Sequence, residues 1–213
     1  MAAYLVFFAL FLGLVPLSLF ILYRNESGPE TRYILPFVVL IAVASIYELV
    51  FSILLQINVL LWFKIYSLLE FYTLYYLFYR LHNGKYRTIF YFFALTVCLF
   101  YLFLLFVPHD WKVLEADSYM ALIDTFFVYF FAILWFRNIF VQLEIDSLWN
   151  QSAFYFISGL LLYFAGTFFL FLLSDIMYLS DQIIVGNYWI INIMLTILLR
   201  ILITIGIWKA KRK

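Results

Sequence analysis

The chain has 213 residues, 68% of them hydrophobic and 12% charged, with a mean hydropathy of +1.07, whereas soluble domains are about half apolar. This is the composition of an integral membrane protein, and a net charge of +1 argues against nucleic acid as a partner. Because a span uses about 20 apolar residues, the chain holds at most roughly eight or nine helices and leaves no room for a soluble catalytic domain.

In chain order, apolar runs bounded by charges or turn residues predict seven spans, at 3–23, 33–55, 59–79, 88–107, 119–141, 152–174 and 188–208. Uninterrupted runs without period-2 alternation select helices over a barrel, so the expected fold is all-α, one seven-helix transmembrane domain over 1–213. The first run has no basic segment before it and no small-residue cleavage pattern, and it reads as a retained helix rather than a signal peptide. Pro16 and Pro36 lie inside the first two spans, where a proline removes a helical hydrogen bond and kinks the helix for packing. Turn residues follow each span: Arg24 to Pro29, Gln56 to Asn58, His82 to Lys85, Pro108 to Asp110, Glu144 to Asp146 and Asp181 to Asn187.

If the spans alternate, Arg24, Arg32, Arg80, Lys85, Arg87, Arg137, Lys209, Lys211, Arg212 and Lys213 share one side, and Lys112 alone falls on the other. Basic loops stay cytoplasmic, so the N-terminus is expected outside and the C-terminus in the cytoplasm. Trp62, Trp111 and Trp189 then mark the outer interface, Trp135, Trp149 and Trp208 the inner one, and most of the phenylalanine is expected to face lipid. The tyrosines of the third span, Tyr66, Tyr72, Tyr75, Tyr76 and Tyr79, are denser than an interfacial belt requires, so some hydroxyls should face the bundle and find partners there.

Five ionisable residues fall inside the spans: Glu48, Lys64, Glu70, Asp124 and Arg200. Each costs about 2.5 to 3.5 kcal/mol on insertion scales and is normally paired or functional. At 1.5 Å per residue, Glu48 and Lys64 both lie roughly 10 to 13 Å below the outer surface, and Glu70 and Arg200 roughly 18 to 19 Å. Those depths suggest two pairs, Glu48 with Lys64 and Glu70 with Arg200, and leave Asp124 near the level of Asn192. Polar residues continue at helical spacing beside the charges: Ser45, Glu48 and Ser52; Tyr66, Glu70 and Thr73; Asn192, Thr196, Arg200 and Thr204. Gly159, Tyr163 and Gly166 form a small-residue face that admits another helix. Two readings of the stripes stay open: interhelical glue, or a ligand site or pathway made of Glu48, Lys64, Tyr66, Glu70, Asp124, Asn192, Thr196 and Arg200. A pocket among them would open outward.

Several chemistries are excluded or disfavoured. A membrane zinc hydrolase needs several intramembrane histidines, and this chain has only His82 and His109, both in predicted loops. No histidine stands at membrane depth to activate Cys98 or a serine, and no phosphate loop or nucleotide fingerprint is present. No metal and no cofactor is expected, and an enzyme is disfavoured, although acid–base chemistry by Glu48 and Glu70 stays open.

Ile65-Tyr66-Ser67-Leu68-Leu69-Glu70-Phe71, the run from Ser158 to Thr167 and Trp189-Ile190-Ile191-Asn192 carry a resemblance. In these segments the chain resembles small bacterial seven-helix membrane proteins of unassigned function, related to sensor modules of some membrane histidine kinases. The resemblance implies a multi-pass protein of the bacterial cytoplasmic (inner) membrane. Since the chain ends at Lys213 without a kinase, it also implies signalling through a separate membrane protein or complex. The expected function is a receptor-like or accessory protein with an outward-facing polar cavity. The alternatives are a small-solute transporter of parallel-repeat type, to which Trp62 and Trp189 at equivalent helix starts would belong, and a structural subunit of a larger complex.

Overall fold

Seven helices follow one another: α1 (Ala2–Leu22), α2 (Pro29–Tyr47), α3 (Leu60–Leu81), α4 (Arg87–Phe106), α5 (Val113–Gln142), α6 (Ser152–Ser180) and α7 (Gln182–Ala210), with no strand among the described residues. This computed structural model describes the backbone over 2–26, 28–57, 60–106, 113–142, 148–180 and 182–210. Within those ranges it describes side chains except at 2, 3, 25, 60, 61, 63, 104–106, 113–118, 142, 171–180 and 182–188. Pro16 and Pro36 lie within α1 and α2. The turns expected at Pro108 to Asp110 and Glu144 to Asp146 fall outside the described residues.

Among the described residues, five stretches are long and apolar enough to cross a membrane, at Tyr4–Leu22, Pro29–Leu54, Tyr119–Val141, Ser152–Leu170 and Trp189–Ala210. The protein is therefore all-helical and multi-pass. Of the seven expected spans, the other two are weaker: α3 carries Lys64, Glu70 and Arg80 within 22 residues, and the apolar part of α4, Arg87–Phe103, is shorter. Gln182 to Asn187, expected as a turn, is the first part of α7. Helical bonding satisfies every backbone group locally, so Gln182, Asn187 and even Gly186 between them do not interrupt the helix as a proline would.

Short connections make sequence neighbours pack side by side. The helices form a ring in which α1 lies between α2 and α7, α6 between α7 and α5, and α3 between α5 and α2, with α4 packed on α3 and α5. The tightest junction is α6 on α7, and the expected small-residue face makes it. A Cβ on Gly159 would lie 3.2 Å from Leu202 Cβ, and one on Gly166 would strike the Leu195 side chain.

Phenylalanine builds the interior. Phe37, Phe71, Phe78, Phe90, Phe127, Phe131 and Phe156 are fully buried, and Phe90 stacks on Phe131 at 3.9 Å. Phe7, Phe8, Phe11, Phe92, Phe126 and Phe169 are among the phenylalanines exposed on the outside, as expected, but the buried ones add close-packed rings whose dispersion contacts hold helices together where no hydrophobic force acts between them. Trp135 is likewise a core residue, 7% exposed, whereas Trp149, Trp189 and Trp208 are exposed.

One feature is invisible to hydropathy. At Glu48 the second helix widens into seven residues of π-helix, Glu48–Leu54, whose entry is marked by the Glu48 N–H shared between the Ala44 and Ser45 carbonyls. Tyr47 braces the transition by stacking on Phe51 at 4.5 Å and on Trp62 of α3 at 4.3 Å. A π-helical stretch re-aims the side chains that follow it and is frequent at functional positions.

Candidate functional site

The polar stripe of α7 is built by local rules. The Thr196 hydroxyl donates to the Asn192 carbonyl at 2.9 Å and the Thr204 hydroxyl to the Arg200 carbonyl at 2.6 Å, the usual way a helical threonine satisfies itself. Arg200 has no such recourse. It is 8% exposed, and its guanidinium donates to the Ala9 carbonyl of α1. Gly13, one turn further along α1, makes room for it: a Cβ there would collide with Ser45 Oγ and stand 3.1 Å from Arg200 Cζ. Arg200 is thus wedged where α1, α2 and α7 converge.

The groups that act electrostatically on Arg200 are Tyr66, Tyr163 and Glu48. The expected pairs are corrected accordingly. Glu48, at the head of the π-helical segment, is the acid that Arg200 feels, and Lys64, its expected partner, is exposed on α3. The depth estimate treated the second span as regular α-helix down to the Gln56 turn, and the widened segment changes the face that Glu48 presents. Glu70 does not reach Arg200 directly. Its Oε1 accepts from the Tyr66 hydroxyl at 3.4 Å, and that hydroxyl is within electrostatic range of Arg200.

Asp124 on α5 is 2% exposed and in electrostatic contact with Glu70. Tyr163, from the small-residue face of α6, ties the two halves together. It bonds with Thr196 and lies within range of Glu70, Asp124 and Arg200. Among the described residues, two oxygens in this set, Asp124 Oδ1 and Asn192 Oδ1, are buried with no hydrogen-bond partner. The expected outward opening falls on residues 104–118 and 171–188, whose side chains lie outside the described ones.

Six of the eight residues singled out in the sequence, Glu48, Tyr66, Glu70, Asp124, Thr196 and Arg200, are therefore linked through one another and Tyr163; Asn192 joins only by its backbone carbonyl to Thr196, and Lys64 is exposed apart from them. Sequence reasoning assigned Tyr163 to packing and missed Gly13 and Ala9. The clue to Gly13 was a glycine in the middle of an otherwise apolar span, where a backbone can approach closely. The arrangement is polarised: the Arg200 guanidinium acts with the Glu48 carboxyl, the Glu70 and Asp124 carboxyls act on each other, and the Tyr66 and Tyr163 phenols are within range of both sets. Among the described residues no three His, Cys, Asp or Glu side chains are placed to hold a metal.

The remaining reactive side chains stand apart from this network. His82, expected in a loop, is in the α3–α4 turn but 6% exposed, with Nδ1 2.9 Å from the Phe78 carbonyl and Phe131 and Tyr86 against its ring. Cys98 is exposed and 3.1 Å from the Tyr72 hydroxyl. Of the dense α3 tyrosines, Tyr66 and Tyr72 thus have partners. No family model, curated protein or solved structure matches the chain.

Proposed function

We propose that this is a receptor-like or accessory protein of the bacterial inner membrane, N-terminus outside and C-terminus cytoplasmic, that holds a small polar ligand in its buried centre and acts through a separate membrane protein or complex. One observation carries the reading: within a network otherwise organised by Arg200, Tyr66 and Tyr163, the acceptors Asp124 Oδ1 and Asn192 Oδ1 are buried and have no partner among the described residues. A polar network that serves only as glue satisfies its members, because a lone buried acceptor costs about 1 to 3 kcal/mol. The polarity of the centre selects a ligand with an acceptor group for Arg200 and donor groups for Asp124 and Glu70.

Coupling to a partner would use the helices that the ligand draws together, α5 and α7 around the α6 glycine face. The test is isolation of the full chain from its native membrane in nanodiscs, followed by mass spectrometry of what copurifies. A stoichiometric small molecule that is lost from Asp124→Asn, together with a stoichiometric membrane partner, supports the reading. No bound molecule, or one unaffected by the substitution, overturns it. Accumulation of the molecule in proteoliposomes would assign transport instead.

A further inference from the structure

A second polar site lies away from the central network, between the α3–α4 turn and the last turns of α5. Lys85, Tyr86, Arg137, Asn138 and Val141 line a half-open pocket of 270 Å³. Two cations and an amide converge there, and among the described residues no carboxylate lines the pocket and neither Lys85 nor Arg137 makes an ion pair. Like charges brought to one concavity repel each other unless an anion sits between them. From these side chains we infer that the pocket binds the phosphate of an anionic lipid headgroup.

Three features of the fold shape the site for that ligand. Lys85 and Tyr86 immediately precede α4, whose first N–H groups, at Arg87 and Thr88, have no partner within the helix and bring the positive end of its dipole beside the pocket. Tyr86 is held at φ 121°, a conformation that is strained for a bulky residue and that persists only where the surroundings fix it. Lys85 Nζ, 5.5 Å from the Tyr86 ring, shares this fixed position. One lining residue, Val141, is apolar and exposed, and the next residue toward the middle of α5, Phe140, is exposed beside it, as suits a site whose ligand continues into acyl chains. On the side expected to be cytoplasmic, basic pockets between helices meet the anionic leaflet.

A merely solvated role for the exposed Arg137 would require no lipid selectivity. The experiment measures thermal unfolding of the full chain in neutral detergent on addition of phosphatidylglycerol, phosphatidylcholine or inorganic phosphate, with native mass spectrometry of bound lipid. Phosphatidylglycerol should stabilise the protein and stay bound, phosphatidylcholine should not, and K85Q/R137Q should weaken the phosphatidylglycerol effect at least about tenfold. The charge-conserving variant K85R/R137K should retain it, which separates loss of binding from loss of folding. Stabilisation by inorganic phosphate to the same extent would overturn the lipid assignment in favour of a free phosphate-bearing anion. Equal effects of the two lipids, or an undiminished response in K85Q/R137Q, would overturn the site itself.

Discussion

Replacing Gly13 by alanine sets two effects of known size against each other. In an isolated helix the change stabilises by about 1 kcal/mol. In this bundle the new methyl would collide with Ser45 Oγ and press to 3.1 Å on Arg200 Cζ. Neither neighbour yields freely, because Ser45 is 2% exposed with its hydroxyl bonded to the Ile41 carbonyl at 2.9 Å, and Arg200 is tied to Ala9. Displacing the Ser45 hydroxyl forfeits about 1 kcal/mol of hydrogen bonding, and overpacking adds about 1 to 3 kcal/mol. The net expectation is a loss of about 2 kcal/mol, a Tm decrease of roughly 4 to 8 °C for a chain of this length. Tryptophan fluorescence during thermal unfolding in nanodiscs measures it. Gly166→Ala provides the contrast, since its obstacle is the flexible end of Leu195, and Ser45→Ala in the Gly13→Ala background should recover part of the loss. A Gly13→Ala protein as stable as the parent or more so would refute the convergence of α1, α2 and α7 on Arg200.

Three further outcomes are expected. Lys64→Gln should change stability by less than about 0.5 kcal/mol because the side chain is exposed, and a loss above 2 kcal/mol in the same unfolding assay would restore the Glu48–Lys64 pair. Burial holds the His82 imidazole below the usual histidine range, opposed by its bond to the Phe78 carbonyl and aided by Lys85. The unfolded chain is therefore protonated first on acidification, so His82's contribution is intact above about pH 6.5 and is lost as pH falls below it, by at most about 1.4 kcal/mol per pH unit. His82→Phe should flatten that slope, and an unchanged slope would show that another group causes it. A double-mutant cycle of Glu48→Gln and Arg200→Met should give coupling above about 0.5 kcal/mol, with Glu70→Gln and Arg200→Met closer to additive; the reverse ranking would reinstate the Glu70–Arg200 pair.

The polar centre was legible in the sequence because charges and amides stand out against apolar spans, and their spacing by three or four puts them on one helix face. Asn192, Thr196 and Arg200 needed nothing more. Their partners were not legible, since those depend on which helices touch. Ala9 contributes a backbone carbonyl that any residue type would offer, and Gly13 matters only once α1 lies against Ser45 and Arg200. The π-helical segment at Glu48 has no compositional mark, and it moved Glu48 from Lys64 to Arg200. Counting residues from a turn gives depth but not rotation, so it placed Glu70 at the level of Arg200 and missed Tyr66 between their functional groups. Which phenylalanines build the core was not legible for a related reason: in a membrane, lipid-facing and core-facing residues are equally apolar, and hydropathy does not separate them.

Whether the buried centre is a ligand site or glue is tested most directly at Asp124. Residues that serve a ligand are poorly satisfied without one, so their removal leaves the empty protein as stable as before or more so, while removing a member of a satisfied network costs several kcal/mol. Alanine at 124 deletes the carboxyl without overfilling the site and favours the helix. Thermal unfolding of ligand-stripped Asp124→Ala beside the parent chain should give an equal or higher Tm. A Tm lower by 6 °C or more would mean that Asp124 holds the bundle together, and would contradict a centre that awaits a ligand.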